Sequence, residues 1–259
     1  MPAHVRPFTM SLAERIGWIA LAVLAAWAAS RIDPSWARFV TGLDNAAKFF
    51  DRMFPPIFSP QKELVKGLIE SLQIAVLSTA LGLVLSLPLG LLAARNLMPG
   101  WVSWAARFVI TVCRTFHPVI VAIVFVKAVG FGALAGVLAL TVASIGFVGK
   151  LFAEAIEEVS MKPIEAVRAT GASFTNVLVF AVVPQVMYRF IGFMAYLADS
   201  NLRNSAIVGL VGAGGIGGTL FAAFQRYDYD FVFGIVLCII GLILIGEVLQ
   251  LAVKKVFRQ

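Results

Sequence analysis

The sequence predicts an all-α integral membrane protein with six transmembrane helices, and three observations carry that expectation. Hydrophobic residues make up 60% of the 259 and charged residues only 14%, against roughly 45–50% and 25% in a soluble domain. The apolar residues gather into runs of about 20, the length at which a helix crosses a ~30 Å hydrocarbon core. The net charge of +7 sits at the ends of those runs, where Lys and Arg meet headgroups, and not in the basic patch of a nucleic-acid binder.

The first run is Leu12 to Ala29. Arg6 and Arg15, then Ile16 to Ala25, then Ala26-Trp27-Ala28 also fit a secretory signal with a cleavage site. Retention is the expectation, because removal leaves an odd number of spans. Ser30 to Glu63 follows, with Pro34, Pro55, Pro56 and Pro60 and with Phe39, Phe49, Phe50 and Phe54 at partly helical spacing. It reads as an interfacial amphipathic segment ending in a proline turn. The remaining spans are expected at Leu64–Ala94, Ser103–Val129, Ala133–Ala153, Val177–Leu197 and Phe231–Val253. Pro88 and Pro184 lie inside two of them and predict kinks, since neighbouring helices satisfy the freed carbonyls. Cys113 and Cys238 fall inside apolar runs without CxxC spacing and read as small buried hydrophobes; no metal site is expected. Lys and Arg divide almost equally between the two sides, so the positive-inside rule leaves orientation open.

Between the fourth and fifth runs lies a polar stretch that includes Glu157, Glu158, Ser160, Pro163, Glu165, Ala166, Arg168, Ala169, Gly171 and Ser173. Ser160 suits an N-cap, and Pro163 is acceptable in a first turn, where its missing N–H costs little. Gly171 suits the left-handed residue that closes a helix, and Ser173 can cap the next one. Ten residues at ~1.5 Å rise make a rod of about 15 Å, too short to span but long enough to dock in a groove.

Glu165-Ala166-Val167, three residues, Gly171, nine residues, then Ala181-Val182-Val183-Pro184 resembles the EAA loop of binding-protein-dependent importer permeases, EAA-x3-G-x9-I-x-L-P. Val167, Ala181 and Val183 depart from the pattern but stay small or apolar. The stretch Asn201 to Gly217, with Arg203, Asn204, Ser205, Gly209, Gly212, Gly214, Gly215 and Gly217, is similar to a segment of the phosphonate-type branch, alongside the methionine-type permeases. The resemblance implies a five-helix permease core plus one N-terminal helix, with both termini cytoplasmic. Residues 1–63 are then the first helix and a periplasmic interfacial segment, and 64–259 the core with a cytoplasmic coupling loop at 154–178. It implies a homodimer in the bacterial inner membrane, with two cytoplasmic ATPase subunits and a periplasmic solute-binding protein. Glu157, Glu158, Pro163, Glu165, Ala166, Arg168, Ala169 and Gly171 are then the ATPase contact.

The permease itself is expected to perform no bond chemistry and to hold no cofactor, ATP and Mg belonging to the partner ATPase. Gly146-Phe-Val-Gly149-Lys150-Leu151 lacks the spacing and the Ser/Thr of a Walker A loop. Gly212 to Gly217 formally matches G-x-G-x-x-G, but a dinucleotide site needs a soluble βαβ unit. Those glycines read either as broken backbone lining a cavity or as a plain outer loop.

Ionisable groups inside spans are costly and draw attention to function. They are Arg114, His117, Lys127 and Arg189, with Glu70, Asp199 and Glu247 nearer the ends. The cationic set suits a small phosphonate-like oxyanion, which guanidinium groups bind bidentately. Arg114 and Arg189 have a second reading, snorkelling to headgroups, and His117 a second reading as a packing residue. Arg114, His117, Arg189 and the polar and glycine residues from Arg203 to Gly217 are thus the candidate path and gate. An ion-coupled secondary transporter is the alternative, but it wants carboxylates deep in the membrane.

Overall fold

A computed structural model describes residues 11–31 and 35–257, with side chains through residue 255. Arg6 and Pro34 lie outside the described residues. The chain divides into two compact units, 1–52 and 53–259, and the described residues contain helices and no strand.

In the first unit, α1 (Leu12–Arg31) opens on a reciprocal cap. Glu14 N–H donates to Ser11 Oγ (3.3 Å) while Ser11 N–H donates to Glu14 Oε2 (2.8 Å). Helix α2 (Trp36–Asp51) is capped by Ser35, whose Oγ accepts from Arg38 N–H. Trp36, Phe39, Val40, Leu43, Ala47 and Phe50 recur at helical spacing and form one apolar stripe. Arg38, Thr41 and Asn45 occupy the other face, so the segment is amphipathic, as its phenylalanine spacing predicts.

The second unit begins with a proline-rich turn tied to the last helix. Ile57 N–H donates to Asp230 O (3.2 Å), and Phe54 packs on Phe233 with ring centroids 4.9 Å apart. Then come α3 (Gln61–Ala93), α4 (Gly100–Thr115), α5 (Pro118–Val129), α6 (Ala133–Glu157), α7 (Met161–Ala169) and α8 (Phe174–Val177). A π-helical stretch (Leu178–Val182) runs into α9 (Val183–Gly209), followed by α10 (Ile216–Gln225) and α11 (Tyr229–Phe257).

Helices α3 and α6 form the most extensive pair. The reason is written along α3, where Gly67, Ser71, Ala75, Ser78, Gly82, Ser86, Gly90 and Ala93 are buried at steps of three and four. In lipid there is little hydrophobic drive between helices, so small residues that let backbones approach take over the packing. Gly82 shows this directly: a Cβ there would overlap the Cβ of Ser144 on α6.

Two expectations need correction. Ser103–Val129 is not one straight span; α4 and α5 meet at 89°. Pro118 biases His117 away from the helical region, and Phe116 (φ −98°, ψ 136°) and His117 (φ −64°, ψ 140°) are both extended. The fifth span does not end at Leu197 but continues to Gly209, which moves Asp199 from a span end to mid-helix. At Pro184 the irregularity takes the form of the π-helical stretch just before it, whereas Pro88 sits within a continuous α3. Among the described residues, five helices are long and apolar enough to cross a membrane, and α4 with α5 adds a sixth if the bent pair is one span. The chain is a multi-pass membrane protein.

Candidate functional site

At the end of the bundle where α3 and α6 finish, α7 is held against the core by one fully buried residue, Ile164. It enters a cluster formed by Phe152, Ile156, Val177, Ala181, Val182 and Val186, which the half-buried Val167 also joins. The rest of α7 stays exposed: Lys162, Glu165, Ala166 and Ala169 lie away from Ile164, Arg168 is exposed one turn beyond it, and Pro163 is exposed in the first turn. Ser160 adopts N-cap geometry without a side-chain cap; instead its N–H donates to Gln185 Oε1 (3.0 Å). Gly171 closes the helix at φ +75°, the conformation its identity predicts, and Ser173 Oγ caps α8 by accepting from Asn176 N–H.

The two glutamates before α7 are engaged within the chain. Glu157 accepts from the Arg95 backbone N–H (2.8 Å) and pairs with Arg107 (2.7 Å), while Asn96 Nδ2 donates to Ile156 O (2.8 Å). Glu158 pairs with Arg189. Arg189, expected with the path, is therefore an anchor of α9 to the loop that leads into α7. The end of α6 and the loop before α7 are thus tied to the turn after α3, to α4 and to α9.

Deeper in the bundle, Asn201 on α9 donates through Nδ2 to Thr79 Oγ1 on α3 (3.0 Å) and Ser144 Oγ on α6 (3.1 Å). Asn201, Asn204, Ser200, Ser144 and Arg114 line a cavity of about 250 Å³ beside the α4–α5 break. Arg114 also lines a larger cleft of about 710 Å³, shared with Arg95, Arg107 and Lys150, which reaches Ala93 and Arg95 at the α7 end. His117 lies outside both linings; it caps α5, Nδ1 accepting from Val119 N–H (3.4 Å). Arg203 is likewise absent from both linings, pairing with the buried Asp199 (3.2 Å), whose Oδ1 has no hydrogen-bond partner among the described residues. Ser205 donates to Leu202 O (2.7 Å) and is buried.

The glycine segment is a turn wedged into the bundle. Gly212, Gly214 and Gly215 all have positive φ. At Gly214 a Cβ would lie 2.6 Å from Ala133 N and 2.7 Å from Glu70 Oε1, so no other residue fits. Ile216 N–H donates to Ser71 Oγ (2.9 Å), and Gly132 N–H donates to Gly212 O (3.0 Å). Gly209 and Gly217 are buried where α9 and α10 meet. The turn therefore joins α3, α6, α9 and α10 at the end opposite α7. At that same end Arg226 bridges Glu63 (3.2 Å) and Asp228 (3.0 Å); the hydrogen bond to Glu63 is the main cause that raises its pKa above the ordinary guanidinium value.

Residues 86–259 match the family model for the binding-protein-dependent transport system inner membrane component. The chain is 37% identical to the phosphite transport system permease protein PtxC of Stutzerimonas stutzeri, over 98% of this chain and 94% of that one. The chain belongs to this family of transport permeases. It is also 42% identical to the phosphate-import permease protein PhnE of Mycolicibacterium smegmatis across 90% of its own residues, and spans 44% of that protein's length. Among solved structures, the fold matches a chain of the MetNI methionine ABC transporter in an inward-facing conformation with a TM-score of 0.68, at 21% identity, covering 78% of this chain and 99% of that one. The permease is a membrane subunit and not itself an enzyme.

Several parts of this permease site escape a reading by motif. The Glu157–Arg107–Arg95 staple joins residues about 50 and 60 positions apart, and no local signal marks it. The Asn201–Ser144–Thr79 bridge was hidden because Ser and Thr are ordinary in membrane helices. The α3 stripe had a legible signal in its three- and four-residue steps of small residues.

Proposed function

We propose that this permease is the membrane subunit of an ATP-driven importer of phosphonate-like oxyanions such as phosphonate, phosphite or hypophosphite. The observation that carries the proposal is α7, a nine-residue helix pinned by Ile164 with its polar face turned away from the core. A helix this short is marginal alone, and a polar exposed face at the end of a membrane bundle suits docking to a soluble partner. The partner is a cytoplasmic ATPase, two copies serving a homodimer of the permease, and it supplies ATP and Mg. A periplasmic solute-binding protein delivers the anion on the other side. With α4 and α5 counted as one crossing there are six spans, and both termini and α7 face the cytoplasm of the bacterial inner membrane. The 1–63 segment is the added helix with its periplasmic amphipathic stretch, and 64–259 the core.

The names of the phosphite and phosphate permease relatives support the cargo class, and the guanidinium of Arg114 between the two clefts suits an anion. Glu165, Ala166, Arg168 and Ala169 make the ATPase contact, with Pro163 and Gly171 bounding the helix and Glu157 and Glu158 bracing it. Movement of α7 passes through α6 and α9 to the glycine turn at Gly209–Gly217, the outer gate of an alternating-access cycle. The test is uptake by proteoliposomes holding the permease, its ATPase and its binding protein. Phosphite or phosphonate uptake that needs all three and internal ATP is expected; uptake driven by a proton gradient without the ATPase overturns the proposal.

A further inference from the structure

We infer that the cleft between α3, α4 and α6 at the α7 end is a binding site for a phosphate-bearing anion. Arg95, Arg107, Arg114 and Lys150 all line it, and no carboxylate does. Two of the four charges are balanced from outside the cleft, Arg107 by Glu157 (2.7 Å) and Lys150 by Glu154 (3.4 Å). The guanidinium groups of Arg95 and Arg114 form no ion pair among the described residues, so the cleft holds two positive charges in excess, four cations less two carboxylates. Unbalanced like charges facing one cavity repel, and a tetrahedral oxyanion relieves that while accepting the paired N–H bonds a guanidinium offers.

The wall of the cleft is built to hold shape. Its lining residues Ala93, Ile110 and Ala153 form a buried apolar cluster with Ala106, and Arg107 Nε donates to Ala93 O (2.9 Å), fixing that guanidinium in place. In its lining Trp104 is 71% exposed and stacks on Phe108 with centroids 5.9 Å apart. An exposed Trp beside a basic pocket between helices is the arrangement found where a membrane protein meets headgroups. The same chemistry serves two sources: the phosphodiester of an anionic lipid entering past Trp104, or free phosphate reaching Arg114 from the smaller cavity. The inference rests on the cleft alone and holds whatever solute the permease carries.

The test uses the assembled permease–ATPase complex in nanodiscs. One arm compares phosphatidylcholine discs with and without phosphatidylglycerol and counts retained phosphatidylglycerol by native mass spectrometry. The other titrates inorganic phosphate into pure phosphatidylcholine discs against chloride at equal ionic strength. Binding is expected in at least one arm, weakened about tenfold or more by the double variant R95Q/R114Q. Retained phosphatidylglycerol without phosphate binding assigns the headgroup; phosphate binding without lipid preference assigns the soluble anion. No binding in either arm, or binding that R95Q/R114Q leaves unchanged, overturns the inference. If that double variant fails to assemble, K150Q replaces it with the same expected direction and the same refuting result.

Discussion

Truncating Ile164 to alanine tests whether one side chain holds α7 against the core. Ile164 is the fully buried residue of α7, so I164A removes three carbons from a closed pocket. At ~0.8 kcal/mol per methylene, with a cavity term because Phe152 and Ile156 are held by the rest of the cluster, the loss is about 2–4 kcal/mol. That cost falls on the docking of α7, since the helix is too short to persist alone. Opening of α7 then rises about 30- to 700-fold. Hydrogen exchange of the amides at 165–171, measured on the purified permease, reads that factor directly, while exchange in α3 and α6 stays at the wild-type rate. Uptake falls and ATP hydrolysis by the complex loses its dependence on transport. By contrast E165A, on the exposed face, leaves exchange unchanged and reduces uptake through the proposed ATPase contact. Wild-type exchange in I164A would refute the claim that Ile164 anchors the helix.

Three further outcomes are expected. G171P abolishes uptake, because proline near φ −65° cannot adopt the +75° of Gly171 and lacks the N–H that Gly171 donates to Arg168 O (3.0 Å); normal uptake by a well-expressed variant contradicts the turn. G82A lowers the unfolding temperature, since the new methyl overlaps Ser144 and overpacking costs about 1–3 kcal/mol. G192A, in α9 with open space around it, is the control and should not lower that temperature, since alanine favours a helix over glycine. N201A loses two interhelical hydrogen bonds, to Thr79 and Ser144, at about 0.6–1.7 kcal/mol each; adding S144A should cost less than the sum of the separate changes, as a double-mutant cycle on unfolding midpoints would read.

Helix α7 was the most legible part of the site because its signals are local. Ser160, Pro163, Gly171 and Ser173 act on their immediate neighbours, and the backbone bears out all but the side-chain cap expected of Ser160. The charged candidates were not legible in the same way. Arg114, Arg189 and Arg203 have the same chemistry in sequence, yet one lines two clefts, one braces Glu158 and one neutralises a buried Asp199. Which role a guanidinium takes depends on which carboxylate a distant helix brings near, and periodicity holds no record of that. The broken third span was partly legible, since the His117-Pro118 pair disfavours a helix locally, but the 89° angle depends on how α4 packs on α3 and α6.

Sequence alone determined that this chain lives in a membrane, where most of its long apolar helices lie, and that a short helix closed by Gly171 stands between α6 and α9. These follow from hydrophobic length and from residues that shape their own backbone. Only the tertiary structure decided which charges are paired, that the glycine turn is clasped between α3 and α6, and that four cations from α4, α6 and the turn after α3 share one cleft. Such features arise from contacts between residues far apart in the chain, and in lipid those contacts are chosen by the fit of small residues and the need to satisfy buried polar groups.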